Sequence, residues 1–150
     1  MGWVKATSFT NAYNAVQARS TDVDGSKFCA LFVKSNGKLA CFVFATASVN
    51  YDGTGANTLS TGTWYHLAMT YSSTDGLRGY VNGVEDGTAA ANGAIATITG
   101  TSYIGEDVKF TPRFWDGPMD DVAIFSRVLT SNEILSIYRF VRGGFYFMTT

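Results

Sequence analysis

Residues 28–44 read Phe28-Cys-Ala-Leu-Phe-Val-Lys34, Ser35-Asn36-Gly37, Lys38-Leu-Ala-Cys-Phe-Val-Phe44. Two apolar runs rich in β-branched and aromatic residues flank Asn-Gly, the dipeptide that most readily supplies positive φ at both centre positions of a tight hairpin. A two-residue loop at Asn36-Gly37 sets Ser35 opposite Lys38, Phe32 opposite Cys41 and Cys29 opposite Phe44. In that register one face carries Phe28, Ala30, Phe32, Cys41 and Val43, and the other carries Cys29, Leu31, Val33, Phe42 and Phe44. Both faces are apolar. One must meet a sandwich core, and the other requires a cover: a loop, a chain terminus or a partner molecule. The same register places Cys29 and Cys41 on opposite faces, which predicts two free thiols serving as small core hydrophobes.

Outward from this hairpin, Trp3 to Ser8 and Tyr13 to Arg19 read as the first strands, and Thr63 to Tyr71 as a long later one. Leu77 to Asn82 turns at Asn82-Gly83 into Val84-Glu85-Asp86, while Thr101 to Ile104 and Met119 to Phe125 complete the set. Gly87 to Gly100, almost all Ala, Gly and Thr, reads as a loop holding a short strand. Thr130-Ser-Asn-Glu133 is a capping box in which side chains satisfy the orphan amides of a helix start. Ile134, Ile137 and Tyr138 then give that helix one apolar face. Sixteen glycines, only two prolines and 15% aromatics suit strands joined by glycine turns. No linker or repeat divides residues 1–150. The expectation is an all-β, two-sheet antiparallel sandwich with one short helix near its end, in a single domain.

Charge and composition exclude several functions. Eleven Lys and Arg against 12 Asp and Glu leave no basic stripe for nucleic acid. No apolar run approaches the ~18 residues of a membrane span. Met1 and Gly2 pass straight into Trp3-Val4-Lys5, which reads as having no secretory leader. The lone histidine, His66, has neither a nucleophile nor a carboxylate near it in sequence and reads as a hydrogen-bonded structural residue. Asp120 and Asp121 are adjacent, so on a strand they face opposite sides and cannot act as a glycosidase pair. Asp120, on the face of Val122 and Ile124, reads as a buried acceptor paired with Arg127. A non-enzyme is expected.

Three segments, in order, resemble the concanavalin A-like, laminin-G-like jelly roll that also includes the pentraxins. They are Thr63-Trp-Tyr-His-Leu-Ala-Met-Thr-Tyr71, Leu77-Arg-Gly-Tyr-Val-Asn-Gly83, and Trp115-Asp-Gly-Pro-Met-Asp-Asp-Val-Ala-Ile-Phe125 followed by Arg127-Val-Leu-Thr130 and Glu133-Ile134. The opening Trp3-Val4-Lys5 is similar to an inner strand of that fold, so the chain is short at its N-terminal side relative to the family. The resemblance implies that Phe145 to Met148 forms a strand in the vacated place or covers a neighbouring subunit. It also implies a non-catalytic, lectin-like module that binds a glycan or glycoprotein. Tyr51, Tyr103, Arg113, Phe114 and Trp115 are the candidate sugar contacts, because aromatic faces take the apolar face of a pyranose while polar groups grip hydroxyls. In pentraxins an acidic cluster after a Leu-Gly strand end holds calcium; here Glu106 and Asp107 follow Ile104-Gly105, with Asp52 as a further oxygen donor. The family points to the cell exterior or surface, the absent leader and unpaired thiols away from it. The rival reading is a structural or protein-interaction domain that forms a homodimer through the apolar hairpin face and the C-terminal segment.

Overall fold

The computed structural model describes residues 1–21, 27–46, 49–90, 93–95, 100–108, 110 and 112–143. Its strands are β1 (Gly2–Lys5), β2 (Tyr13–Thr21), β3 (Lys27–Lys34), β4 (Lys38–Thr46), β5 (Val49–Thr58), β6 (Trp64–Ser72), β7 (Gly76–Val81), β8 (Val84–Ala89), β9 (Ser102–Ile104) and β10 (Met119–Asp120), with helix α1 at Ser131–Gly143. They form two antiparallel five-stranded sheets, β10-β1-β6-β7-β8 and β5-β4-β3-β2-β9. Between them lies the main core, including Val4, Val16, Leu31, Val33, Leu39, Val43, Leu67 and Leu77. The expected sandwich with one late helix is the observed fold.

The β3–β4 hairpin differs from expectation by one residue, and the difference is consequential. Cys29 opposes Val43, Leu31 opposes Cys41 and Phe32 opposes Ala40. The loop has three residues: Gly37 N–H donates to the Lys34 carbonyl at 2.9 Å, and Gly37 alone takes the left-handed conformation, at φ 77°. This is the type I turn followed by a left-handed glycine, an alternative that Asn-Gly serves equally well. Asn36 keeps a negative φ and turns its Oδ1 back to accept from Lys38 N–H. The strict two-residue turn, with both centres at positive φ, lies instead at Asn82-Gly83, φ 52° and 79°.

A slip of one residue exchanges the faces of one strand relative to the other. Cys29, Leu31, Val33, Leu39, Cys41 and Val43 all turn inward, and Ala30, Phe32, Ala40, Phe42 and Phe44 turn outward. The two cysteines therefore share the core face, contrary to the sequence reading, and both are free thiols.

β5 escapes a sequence reading because Val49–Thr58 is Asn-, Thr- and Gly-rich, yet it is a strand that includes Asn50-Tyr51-Asp52. Its small residues have a reason. β5 and β8 are the outer strands on one flank, and there the sheets close on each other: a Cβ on Gly87 would lie 2.8 Å from the Thr54 carbonyl oxygen. Asn57 N–H donates to Asp86 Oδ1 across this seam at 3.0 Å. The opposite flank, between β9 and β10, stays open as a cavity of about 530 Å³ beside Met1, Cys29, Met69, Tyr71 and Phe125.

β10 ends at Asp120 rather than Phe125, because Asp121 takes φ 48° and breaks the extended run. Asp120 is exposed, not buried, and Arg127 pairs with Glu133 at 2.7 Å instead of with Asp120. The capping box forms as written: Thr130 N–H donates to Glu133 Oε2 at 2.8 Å and Glu133 N–H to Thr130 Oγ1 at 3.2 Å. α1 lies over the outer face of the first sheet, burying Ile134 against Ala68, Tyr80 and Leu129. The expected strand at Phe145 to Met148 falls outside the described residues. No described helix is long and apolar enough to cross a membrane.

Candidate functional site

The outward face of β3–β4 is the apolar surface that needed a cover, and the structure supplies one. Tyr13 on β2 meets Phe32 and Phe42 with ring centroids 5.6 and 5.5 Å apart, and Phe32 and Phe42 pack edge to face at 5.8 Å. Ala15, Ala18, Ala30 and Ala40 form the floor between the rings. Phe32 is fully buried; Tyr13, Phe42 and Phe44 are half-buried.

Arg113 supplies the lid. Its guanidinium lies 4.8 Å from the Tyr13 ring centroid, 5.7 Å from Phe32 and 4.3 Å from Phe110. Asp107, only 2% exposed, holds it in place through a contact of 3.3 Å to Nη1. The segment that carries them, entered from β9, doubles back on itself. Asp107 N–H donates to the Arg113 carbonyl and Trp115 N–H to the Gly105 carbonyl, at 2.9 and 2.8 Å. Asn11 Nδ2 ties it to the second sheet by donating to the Phe114 carbonyl, and Asn14, fully buried, donates to the Asn11 and Val33 carbonyls.

A second cation stands close to Tyr13. Lys34 Nζ is 5.8 Å from that ring, donates to Thr54 Oγ1 at 2.7 Å and pairs with Asp52 at 3.6 Å. The face thus presents aromatic rings bordered by one guanidinium and one ammonium, each steadied by a carboxylate.

The expected site residues divide. Arg113 belongs to this face, and Phe114 beside it is 49% exposed. Tyr103 on β9 pairs with Ala18 and is half-buried at the same sheet's edge. Tyr51 opposes Val43 on β5, and its side chain lies outside the described residues. Trp115 is a correction: it is buried in the main core with Phe9 edge-on at 6.3 Å, pinning the segment from beneath. The calcium set is not assembled among the described residues, where no three His, Cys, Asp or Glu side chains converge. β5, with Asp52, and β9, which leads to Glu106, are opposite edges of a five-stranded sheet, about 19 Å apart at the usual strand spacing. Asp107 is held by Arg113 and Asp52 by Lys34.

His66 is buried, as expected of a structural residue, but its Nδ1 has no hydrogen-bond partner among the described residues. Its ring lies edge-on to Trp3 at 5.5 Å, and burial, with the Met1 ammonium adding to it, pulls the imidazole down to about 4. Neutral and enclosed by rings, it has no group to activate among the described residues.

A sequence reading misses Tyr13, Asn14, Phe32, Phe42 and Lys34 as site residues. The available signal was the double-sided apolar character of residues 28–44, together with an asparagine at position 14 inside an otherwise strand-like run.

The family model described as the concanavalin A-like lectin/glucanases superfamily matches residues 2–135. The chain belongs to that superfamily. Comparison of this concanavalin A-like chain with curated proteins finds no match. Solved structures of the same fold include the Ruminococcus gnavus IT-sialidase CBM40, at TM-score 0.75 and 16% identity over 91% of this chain and 79% of that one. Domain 4 of AbnA, an extracellular GH43 arabinanase from Geobacillus stearothermophilus determined with arabinotriose, gives 0.73 and 21% over 91% and 64%. The native heptameric SAP-like pentraxin of Limulus polyphemus gives 0.67 and 22% over 91% and 67%. At these identities the likeness is one of fold.

Proposed function

We propose that this concanavalin A-like domain is a non-catalytic recognition module that binds glycans on the outer face of its second sheet. The carrying observation is the Tyr13–Phe32–Phe42 ring cluster with Arg113 and Lys34 on its border. Half-buried rings offer flat apolar area to a pyranose, and the two cations donate to hydroxyls or to a sugar carboxylate. Phe114 and Tyr103 extend the surface along the sheet, whereas Tyr51 opposes the inward-facing Val43 and takes no part in it.

The fold neighbours support this reading, since the CBM40 module has been determined bound to alpha2,3 sialyllactose and the arabinanase domain with arabinotriose. Rings and cations carry the recognition, so added calcium does not enter it. The rival reading, self-association through the hairpin face, loses support because Phe32 is covered within the chain by Tyr13 and Arg113.

A glycan array probed with the full chain tests the proposal. Binding to a defined glycan set, lost in Lys34→Ala and reduced at least tenfold in Arg113→Ala, is the expected result. Arg113→Lys, which keeps the charge on Asp107, serves as the folding control. An empty array from a folded chain, or binding indifferent to all three substitutions, overturns it.

A further inference from the structure

On the other side of the molecule, the outer face of the first sheet carries a second cavity of about 490 Å³, within the range of small-ligand sites. The sequence builds it by register. Trp3 opposes both His66 and Asp120, and Lys5 opposes Trp64, so these side chains share one face. α1 covers part of that face, and its Tyr138 stacks on Trp3 with centroids 5.6 Å apart. The cavity lies where the helix cover gives out. Trp3, Trp64, Tyr138, Asn82, Asp120 and Asp121 line it.

The lining specifies the ligand. Trp64 is 41% exposed, and its ring already receives a cation from the chain, Lys5 Nζ at 5.6 Å from the centroid. Asp120 and Asp121 are both exposed, and neither has an ion-pair partner among the described residues. Asp121 and Asn82 are the two non-glycine residues with positive φ among those described, at 48° and 52°. The Asn82 side chain spends its Oδ1 on His66 N–H, at 3.0 Å, and its Nδ2 has no partner among the described residues. Trp3, 9% exposed, likewise has an Nε1 without a partner. Two uncompensated carboxylates beside indole rings match a positive charge, which an aromatic face attracts most strongly when the ring is Trp.

We infer that this cavity binds an organic ammonium group carried on a compact body, with the cation between Trp64 and the Asp120–Asp121 pair. An amino sugar and a choline-type headgroup share this chemistry. The site is independent of the glycan face on the second sheet, so either can fail without the other.

Calorimetric titration of the full chain with glucosamine, with choline and with glucose is the test. Saturable binding of at least one ammonium compound in the millimolar range is expected, with glucose at least tenfold weaker. If glucosamine alone binds, the source is an amino sugar; if choline binds as well or better, it is a headgroup. Asp120→Asn with Asp121→Asn removes both charges and keeps the backbone, because Asn tolerates the left-handed region and retains an acceptor for the Asp121 N–H. That double variant must lose the ammonium affinity at least tenfold with its melting temperature preserved, and Arg113→Ala must not alter it. Absence of saturable binding by either ammonium compound to roughly 50 mM, equal binding of glucose, or full binding by the double variant overturns the inference.

Discussion

At residue scale, His66 is the most informative side chain for stability. Its imidazole titrates near 4 when folded against about 6.5 when unfolded. Between those values the unfolded chain holds a proton that the folded chain does not, so stability rises with pH across this window and falls as pH drops from about 6.5 to about 4. Melting curves recorded across that window should show the decline, and His66→Phe should flatten it. Phe keeps the ring contact with Trp3 and removes the unpartnered Nδ1, so stability at pH 7 should change by less than about 1 kcal/mol. An unchanged slope in His66→Phe would assign the pH dependence to other groups.

The same scale shows where sequence reading ends. Residue identity alone marked Trp115 as a sugar contact and Asp120 as a buried acceptor; both were misplaced, in opposite directions. Trp115 goes inward because the doubled-back segment it terminates needs an apolar anchor. Asp120 goes outward because it pairs with Trp3, which turns to the outer face of the first sheet and stacks on Tyr138 of α1. Neither cause is local to the residue it moves.

At the scale of single elements, legibility follows the range of the determining interaction. The capping box of α1 is a contact between residues three apart, and it formed as written, with Arg127 added through a bidentate pair to Glu133. The Asn36-Gly37 turn was legible as a turn, but not in its length: two loop geometries accept the same dipeptide, and choosing wrongly exchanged the faces. Leu59, whose N–H donates to the Gly37 carbonyl at 2.8 Å, is one long-range contact that no local reading supplies. β5 was illegible because its small residues answer to β8 rather than to their own propensity.

The cap also carries a pH prediction. Hydrogen bonds from Arg127 and from Thr130 hold the Glu133 carboxyl at about 2, below its ordinary 4.5. A carboxyl lowered in the folded state contributes stability above the unfolded value and loses it as pH falls toward the folded one, here from about 4.5 to about 2. Thr130→Ala should lower the melting temperature by roughly 3–5 °C at neutral pH. Arg127→Ala should weaken the dependence on acid without removing the helix, as circular dichroism would report.

At the scale of the molecule, period-two patterning and turns disclosed the sandwich, and the resemblance of three ordered segments to a known family disclosed the superfamily. The two proposed ligand faces were far less legible. The aromatic face assembles from β2, β3 and β4 with a segment some 80 residues further on, and the cavity on the first sheet joins positions 3, 64, 82, 121 and 138. Stability should divide along the two flanks as well. β9 and β10 are short edge strands beside the open cavity, whereas β5 and β8 meet in a seam of close backbone contact. Amide exchange should therefore be fastest at Ser102–Ile104 and Met119–Asp120, through local opening, and slowest in β3, β4, β6 and β7, where only global unfolding exposes the amides. Uniform protection across both flanks would contradict this picture.

A body stapled along one side and unlatched along the other admits small reagents at the mouth beside Met69 and Tyr71. Cys29 stands at that threshold and Cys41 behind it in the closed interior, although the two share a surface. An alkylating agent supplied in increasing strength should mark them in that order, so that the sulfur labelled first reports how far the mouth has parted.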